Sequence, residues 1–389
     1  MVMALLLGGS VRATTQGPGS DTDSIEVSLL TCAPGNELYS LYGHTALRYH
    51  DLRTGEDWAF NYGVFNFKKP HFALRFVFGL TDYELGVIPY DVFQKEYARE
   101  GRAVTEQVIN LSESEKERLF VALADNSRPA NKTYRYNFYY DNCTSRARDM
   151  IERCIDGTIE YPQHAGSERV TYRQMVHEKT AGHPWAAFGD DICLGVKSDI
   201  AVDSRAQQFL PDNLMRDFAK AMIVADGARR PLVKCTRVAV DATLPPAESS
   251  FPLRPWQCAT ILLAASLAIA AIEMKRQKAV KAWDILLLTC ISAAGTVIVA
   301  LLFSQHPTTS TNLQVLLLNP LPLFFLPSLA KGRLAYWRTA AVLTLLFLAG
   351  ALFQDYAEGM EIVALCLLSR CVVHLALARK QHPNRTKRG

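Results

Sequence analysis

Apolar and polar positions divide the chain into two parts with different solvent preferences. Residues 24–243 alternate between short apolar and polar stretches, as in a soluble domain, whereas residues 255–380 are dominated by long apolar runs. There are five of these runs, at residues 256–274, 283–303, 313–329, 335–353 and 362–378. Each is close to the roughly 20 residues that a helix needs to cross about 30 Å of hydrocarbon. The pattern predicts a soluble domain over 24–243, a Pro- and Ser-rich linker over 244–254 and an all-α, five-helix transmembrane domain over 255–380.

Shorter patterns in the soluble part predict a mixture of strands and helices. Residues 24–30 alternate like a strand, and residues 44–51 and 58–67 predict the two strands of a hairpin that turns at Thr54-Gly55. Residues 72–84 fit either a strand or a surface helix, residues 91–101 and 112–126 predict helices, and residues 103–111 predict a strand between them. The helix over 112–126 begins with the capping signal of Ser112. A short aromatic strand over 134–140 then leads into a helix that begins near Cys143 and runs to about Cys154.

The charges of the loops between the apolar runs predict the orientation of the chain in a membrane. Lys- and Arg-rich segments follow the first, third and fifth runs, the last being the basic tail at 381–389, whereas the loops at 304–312 and 354–361 contain no Lys or Arg. Because basic loops stay in the cytoplasm, the soluble domain should lie on the outer side. Residues 1–23 agree with this orientation, since a short apolar run precedes Val11-Arg12-Ala13, which resembles a signal-peptide cleavage site, and a linker follows.

The third apolar run differs from the others because it contains Pro320, Pro322 and Pro327. Proline removes a backbone donor, and inside a membrane the freed carbonyls need other partners. The run therefore predicts either a broken helix beside a cavity or a kinked helix that only packs.

Composition excludes some classes of protein. Hydrophobic residues make up 49% of the chain and the net charge is +4, values that point neither to disorder nor to a nucleic-acid partner. Five of the nine cysteines lie in the soluble part, an odd number that leaves one free if the others pair. Cys154 and Cys193 could form a bridge. We expect neither a cofactor nor a metal site.

Cys143 is the candidate nucleophile. It follows Asn142 at the predicted start of a helix, where free N–H groups and the helix dipole would stabilise a thiolate. A nucleophilic cysteine also needs a base and a group that orients the base. The leading base is His44, at the start of the hairpin and 99 residues before Cys143 (143 − 44). Asn61 on the neighbouring strand is the first choice for the orienting group, and His50, on the same face as His44, is the second.

Other polar residues could contact a substrate. Arg146 follows the nucleophile and could meet a phosphate group, or could pair with Asp149 or Glu152 on a solvated helix face. His306 lies on a loop predicted to face outward, in the same compartment as Cys143, and could approach the site if the soluble domain sits on the membrane.

Several segments together resemble a known family. Gly43-His44 followed by an alternating strand, with Asn142-Cys143 later at a helix start, resembles the circularly permuted papain-like fold, an α+β fold shared by NlpC/P60 peptidases and lecithin:retinol acyltransferase-like (LRAT-like) enzymes. Over a longer range the chain is similar to the Lnb-type lipoprotein N-acyltransferase family, in the segments SLLTCAPGNELYSLYGHTALRYHD, FNYGVFNF, YNFYYDNCTSRARD, TYRQMVHEK and PWAAFGDDICLG, and in the His306-Pro307 and Asn319-Pro320-Leu321 motifs.

The resemblance implies a location and a reaction. It implies a multi-pass protein of the bacterial inner membrane with its catalytic domain in the periplasm. Its substrates would be a phospholipid acyl donor and a diacylated lipoprotein, and Arg146, His306 and Asn319 become candidate substrate-binding residues. Two alternatives stay open: a membrane-bound thiol hydrolase of the same fold, either a phospholipase or a cell-wall peptidase, and a non-catalytic membrane sensor in which Cys143 is structural.

Overall fold

A computed structural model describes residues 24–65, 70–162, 170–241, 251–330 and 333–381. The signal peptide and linker predicted over 1–23, most of the linker predicted over 244–254 and nearly all of the basic tail lie outside the described residues.

One mixed domain is built around a twisted antiparallel sheet. The sheet has the strand order β10-β5-β1-β2-β3-β4-β6. A second, three-stranded sheet has the order β7-β8-β9. The strands are β1 (Ile25–Cys32), β2 (His44–Asp51), β3 (Glu56–Val64), β4 (Asp82–Pro89), β5 (Val104–Ile109), β6 (Thr133–Arg135), β7 (Thr158–Glu160), β8 (Met222–Ala225), β9 (Ala228–Pro231) and β10 (Val233–Val240). The helices are α1 (Phe72–Val77), α2 (Tyr90–Glu100), α3 (Glu113–Asn126), α4 (Cys143–Glu152), α5 (Tyr172–Lys179), α6 (Pro184–Cys193), α7 (Ser204–Gln207) and α8 (Pro211–Phe218).

The sequence pattern predicted most of these elements. The hairpin of β2 and β3 is present, as is the capping box, in which the Ser112 side chain accepts from the Glu115 N–H at the start of α3. Residues 72–84 contain both predicted alternatives, because α1 is followed directly by β4. The aromatic strand predicted over 134–140 is wrong in its length. It stops at Arg135 because the Asn137 side chain accepts hydrogen bonds from the N–H groups of Tyr139 and Tyr140 and turns the chain.

The membrane part differs from the five-helix prediction. Three helices are long and apolar enough to cross a membrane: α9 (Pro255–Arg276), α10 (Lys281–Leu302) and α14, which runs from Met360 to Gln381. The third apolar run is not one helix. It contains a 3-10 turn (Leu313–Leu316) and two short helices, α11 (Leu321–Phe324) and α12 (Leu326–Ala330), because its prolines interrupt the backbone hydrogen bonds. The fourth run forms α13 (Ala335–Gly350), whose 16 residues span only about 24 Å.

A buried ionic network joins the membrane helices near the ends that carry the basic loops. Arg370 on α14 is fully buried and donates two hydrogen bonds to Glu273 on α9, at 2.6 and 2.8 Å, and one to Asp284 on α10 at 2.9 Å. Asp284 also pairs with His374, which stacks on Trp337 of α13. Charges in such a place must be paired, so the network fixes the register of these helices.

The soluble domain rests on the loops that contain no Lys or Arg. The N–H groups of Gly195 and Val196 donate to the carbonyls of Thr308 and Thr311, each at 2.8 Å. The approach is close, since a Cβ on Gly195 would lie 2.1 Å from the Thr311 carbonyl oxygen. The soluble domain and these loops are therefore on the same side of the membrane helices.

Candidate active site

Cys143 is the first residue of α4 and is held there by its neighbour. The Asn142 side-chain oxygen accepts from the N–H groups of Thr144 and Ser145, both at 2.9 Å. Its amide nitrogen donates to the Phe138 and Phe209 carbonyls at 2.9 and 2.8 Å. Within the described residues the Cys143 N–H has no acceptor, so it is available to a ligand beside the sulfur.

His44 begins β2 and lies next to Cys143. The preceding Gly43 has φ +77°, and a Cβ there would lie 2.8 Å from the Cys32 carbonyl oxygen, so the turn requires glycine. The His44 side chain faces the Cys143 thiol, since both line the same cavity and each shifts the pKa of the other. Its Nε2–H donates to the Asn61 Oδ1 at 3.0 Å, which leaves Nδ1 for the cysteine. The structure thus brings together the three residues that the sequence predicted as nucleophile, base and orienting group.

An irregularity in β3 presents Asn61 to the histidine. The pairing of β3 with β4 shifts register between Asn61 and Val64. Gly63, within this bulge, has φ +92° and lies against Cys143, whose Cβ would be 3.7 Å from a Cβ on Gly63. Bulges commonly re-aim side chains beside functional sites, and here the bulge also brings the β3 backbone up to the cysteine.

Local electrostatics favour a thiolate–imidazolium pair. Burial by itself would raise the pKa of the Cys143 thiol, but the charge of His44 and hydrogen bonds from His44, the Thr45 N–H and Thr144 outweigh it, and the pKa is lowered. Burial would likewise lower the pKa of His44, but the Cys143 charge and hydrogen bonds to Cys143 and Asn61 raise it overall. Each group therefore stabilises the charged form of the other.

Three other thiols of the soluble part have a raised pKa instead. Burial raises the pKa of Cys32 to about 12 and that of Cys193 to about 11, and it also raises the pKa of Cys154. All nine cysteines are free. The suggested Cys154–Cys193 bridge is wrong, because Cys154 is buried in the core beneath α4 whereas Cys193 ends α6, the helix that packs on the membrane part.

A cavity of about 670 Å³ opens in front of the pair. This volume lies within the ~300–1,000 Å³ of typical small-molecule sites. Its wall is mostly apolar and aromatic, with Phe65, Phe76, Tyr83, Tyr136 and Phe138 among the lining residues. Near Tyr97 the wall also carries the charged side chains of Glu96, Glu100 and Arg102. A long apolar group with a polar end would suit such a cavity.

The remaining predicted residues lie away from the cysteine. His50 contacts Arg48. It lies six positions along β2 from His44, a distance of about 20 Å, so it does not orient the base. Arg146 does not line the cavity. It pairs with Asp141 at 2.6 and 2.7 Å, rather than with Asp149 or Glu152, and stacks on Tyr134.

His306 and Asn319 occupy different levels of the membrane part. The His306 Nε2 donates to the carbonyl of Phe76 at 3.2 Å, so it contacts a segment of the cavity wall through the backbone. The Asn319 side chain accepts from the Leu321 N–H at 3.2 Å and donates to the Leu316 carbonyl at 3.1 Å. It stabilises the break in the third apolar run and does not line the cavity of Cys143. A role in substrate binding stays a prediction for Arg146, His306 and Asn319.

Sequence reasoning missed a pair of threonines that fixes the site. The hydroxyl groups of Thr45 and Thr144 lie 3.0 Å apart and are fully buried. Each directly follows a site residue, His44 or Cys143, so this bond ties the start of β2 to the start of α4. Their adjacency to the two candidates was the only signal in the sequence. Among the described residues, no cluster of His, Cys, Asp and Glu side chains could hold a metal ion.

The fold and the site define a membrane protein whose extramembrane domain holds a buried Cys–His–Asn arrangement. Two family models match the chain: the Lnb N-terminal periplasmic domain over residues 19–178 and the Lnb transmembrane domain over residues 246–382. Together they match more than half of the chain, in the order of the two structural parts. The chain belongs to the Lnb family, and its soluble part is periplasmic. No curated protein and no solved structure matches the chain.

Proposed function

We propose that the protein is a lipoprotein N-acyltransferase of the bacterial inner membrane. It would transfer an acyl chain from a phospholipid, through a thioester on Cys143, to the N-terminal amine of a diacylated lipoprotein. The observation that carries the proposal is the Cys143–His44–Asn61 arrangement in an apolar cavity of a domain held on membrane helices. The family membership supports it.

In the first half-reaction His44 takes the thiol proton of Cys143, and the thiolate attacks an ester carbonyl of the phospholipid. The developing oxyanion accepts a hydrogen bond from the free Cys143 N–H at the start of α4. When the tetrahedral intermediate collapses, the C–O bond breaks and the His44 imidazolium protonates the leaving glycerol oxygen. A lysophospholipid departs and the acyl-thioester remains.

In the second half-reaction the α-amine of the lipoprotein's N-terminal cysteine attacks the thioester. A C–N bond forms, the C–S bond breaks, and His44 takes the amine proton and returns the thiol to its resting state. Asn61 keeps the imidazole ring in the orientation that both proton transfers need. The apolar wall limits access of water to the thioester, which favours transfer to an amine over hydrolysis.

The test is expression of the full chain in a bacterium whose lipoproteins are only diacylated. Mass spectrometry of lipoprotein N-terminal peptides should show one added acyl chain with the wild-type protein and none with Cys143→Ala or Cys143→Ser. Retained N-acylation in both variants would overturn the proposal. Release of lysophospholipid and free fatty acid without any N-acylated peptide would instead identify the thiol hydrolase.

A further inference from the structure

Large apolar side chains are exposed around the mouth of the cavity. Leu38, Tyr39, Val64 and Phe76 line it and are nevertheless 67%, 65%, 47% and 49% exposed. Leu74, on the same helix as Phe76, is 57% exposed. We call these five residues the rim. A cluster of exposed apolar side chains costs solubility and marks an interaction surface.

The structure fixes the height of α1, which carries two of the rim residues, relative to the membrane part. The residues that follow α1 rest on the residues that follow α10: the Gln305 N–H donates to the Phe78 carbonyl at 3.0 Å. Gly79 permits the contact, since a Cβ there would lie 3.1 Å from the His306 nitrogen. Because α10 leaves the hydrocarbon at about Leu302, α1 lies at the outer surface of the membrane.

Exposed aromatic side chains mark the same level on three membrane helices. Trp256 near the start of α9, Phe303 after the end of α10 and Phe353 after the end of α13 are 43%, 76% and 70% exposed. A Trp ring at a helix end is typical of the boundary between hydrocarbon and head groups, and the two Phe rings lie at helix ends on the same side. The rim continues this belt through the contact between α1 and the residues after Phe303.

We propose that the rim inserts into the outer leaflet of the membrane, so that the acyl chain of a phospholipid passes laterally from the leaflet into the cavity. This inference rests on the proposed function, in which a phospholipid acylates Cys143. The lipid would leave the bilayer only partly, because the cavity mouth is itself apolar and lies at the level where the acyl chains join the head groups. Its ester group could then reach Cys143 without exposure of the whole chain to water.

Photo-crosslinking tests the contact separately from the chemistry. A benzophenone amino acid is placed at Leu38 or Leu74 in the full-length Cys143→Ala protein, in native membranes, and adducts are identified by mass spectrometry. The matched control is Val121, which is 60% exposed on α3 and does not line the cavity. We expect phospholipid adducts at 38 and 74 and few or none at 121. Equal labelling at the three positions, or none at 38 and 74, would overturn the proposal.

A kinetic comparison tests the route. Leu74→Glu should slow acylation of Cys143 by a bilayer phospholipid about tenfold or more, the scale of losing the burial of one large apolar side chain. It should leave acylation by a water-soluble short-chain thioester unchanged, and Val121→Glu should alter neither rate. Unchanged acylation by the bilayer lipid, or an equal loss with both donors, would contradict lateral entry. If the wild-type protein reacts with neither donor while the crosslinks appear as expected, the proposed function fails and the membrane contact stands.

Discussion

Asn61→Ala is the most direct test of the site geometry. The substitution removes the hydrogen bond that the Asn61 Oδ1 accepts from His44 at 3.0 Å. The bond is strongest when the ring is an imidazolium, and a hydrogen bond to a charged group contributes about 1.5–3 kcal/mol. If that contribution is lost from the transition state for acylation, the rate falls about 10- to 150-fold. The ring would also be free to rotate away from Cys143, which adds to the loss.

The assay is single-turnover acylation of Cys143 by a phospholipid, followed by intact-protein mass spectrometry. His50→Ala is the matched control, since His50 is the other orienting group that the sequence allowed, yet it contacts Arg48 instead. We expect His50→Ala to react at the wild-type rate. Binding of the donor should change little in Asn61→Ala, so the loss should be in the rate constant rather than in the donor concentration for half-saturation.

Asn61→Asp tests how the group beside His44 changes the pKa of the imidazole and with it the pH profile of acylation. A carboxylate at this position would raise the pKa of His44 further, so the imidazolium would persist to higher pH and the alkaline limb of the profile would move upward. The reasoning would be refuted if Asn61→Ala kept the wild-type rate while His50→Ala lost it, or if Asn61→Asp moved the alkaline limb downward.

Three further measurements address ionisation and stability. Acylation should begin at a pH below the usual thiol pKa of 9.0 and should decline only above the usual imidazole pKa of 6.5, because the proposed reaction needs Cys143 as thiolate and His44 as imidazolium. A single rise near pH 9 would contradict this. Asn142→Ala should lower the free energy of unfolding, measured by pulse proteolysis, by about 2–4 kcal/mol, because it removes the helix cap and two further hydrogen bonds of the side chain. Asn142→Ser keeps the cap and should lower the free energy of unfolding by less. Arg370→Met should cost about 3–5 kcal/mol by thermal unfolding in detergent, because Glu273 would stay buried without its partner; a loss below about 1 kcal/mol would argue against a paired network.

Much of the arrangement of Cys143, His44 and Asn61 could be predicted because it depends on short-range geometry. The hairpin pairs Leu47 with Phe60, and continuing that register places position 63 opposite His44 and Asn61 diagonally beside it. Diagonal neighbours on one face of a sheet lie within reach of each other. The helix start at Cys143 follows as directly, from the capping preference of Asn142. Alternation and capping thus predicted the local setting of each of these residues, whereas the family resemblance supported the pairing of His44 with Cys143, which lie 99 residues apart.

Contacts set by the long-range path of the chain could not be predicted in this way. Two acidic residues, Asp149 and Glu152, follow Arg146 on α4, and helix spacing favours Asp149 as its partner. Its partner is instead Asp141, which precedes the helix, because the turn at Asn137 carries the chain back beside the ring of Tyr134. No periodicity in the sequence encodes that return.

Hydropathy alone counted the third apolar run as a span, since it registers apolar side chains and not backbone hydrogen bonds, whereas the prolines of the run predicted, as one of two alternatives, the broken helix that the structure shows. Polar side chains at the start of this run hold the periplasmic domain. Asn312 and Gln314 donate to the carbonyls of Ile192 and Asp191 at 2.8 and 2.7 Å, at the C-terminal end of α6. In the same helix Asp190 accepts a hydrogen bond of 2.5 Å from Tyr42, two residues before His44. The membrane part is therefore connected, through α6 and Tyr42, to β2, the strand that begins at His44.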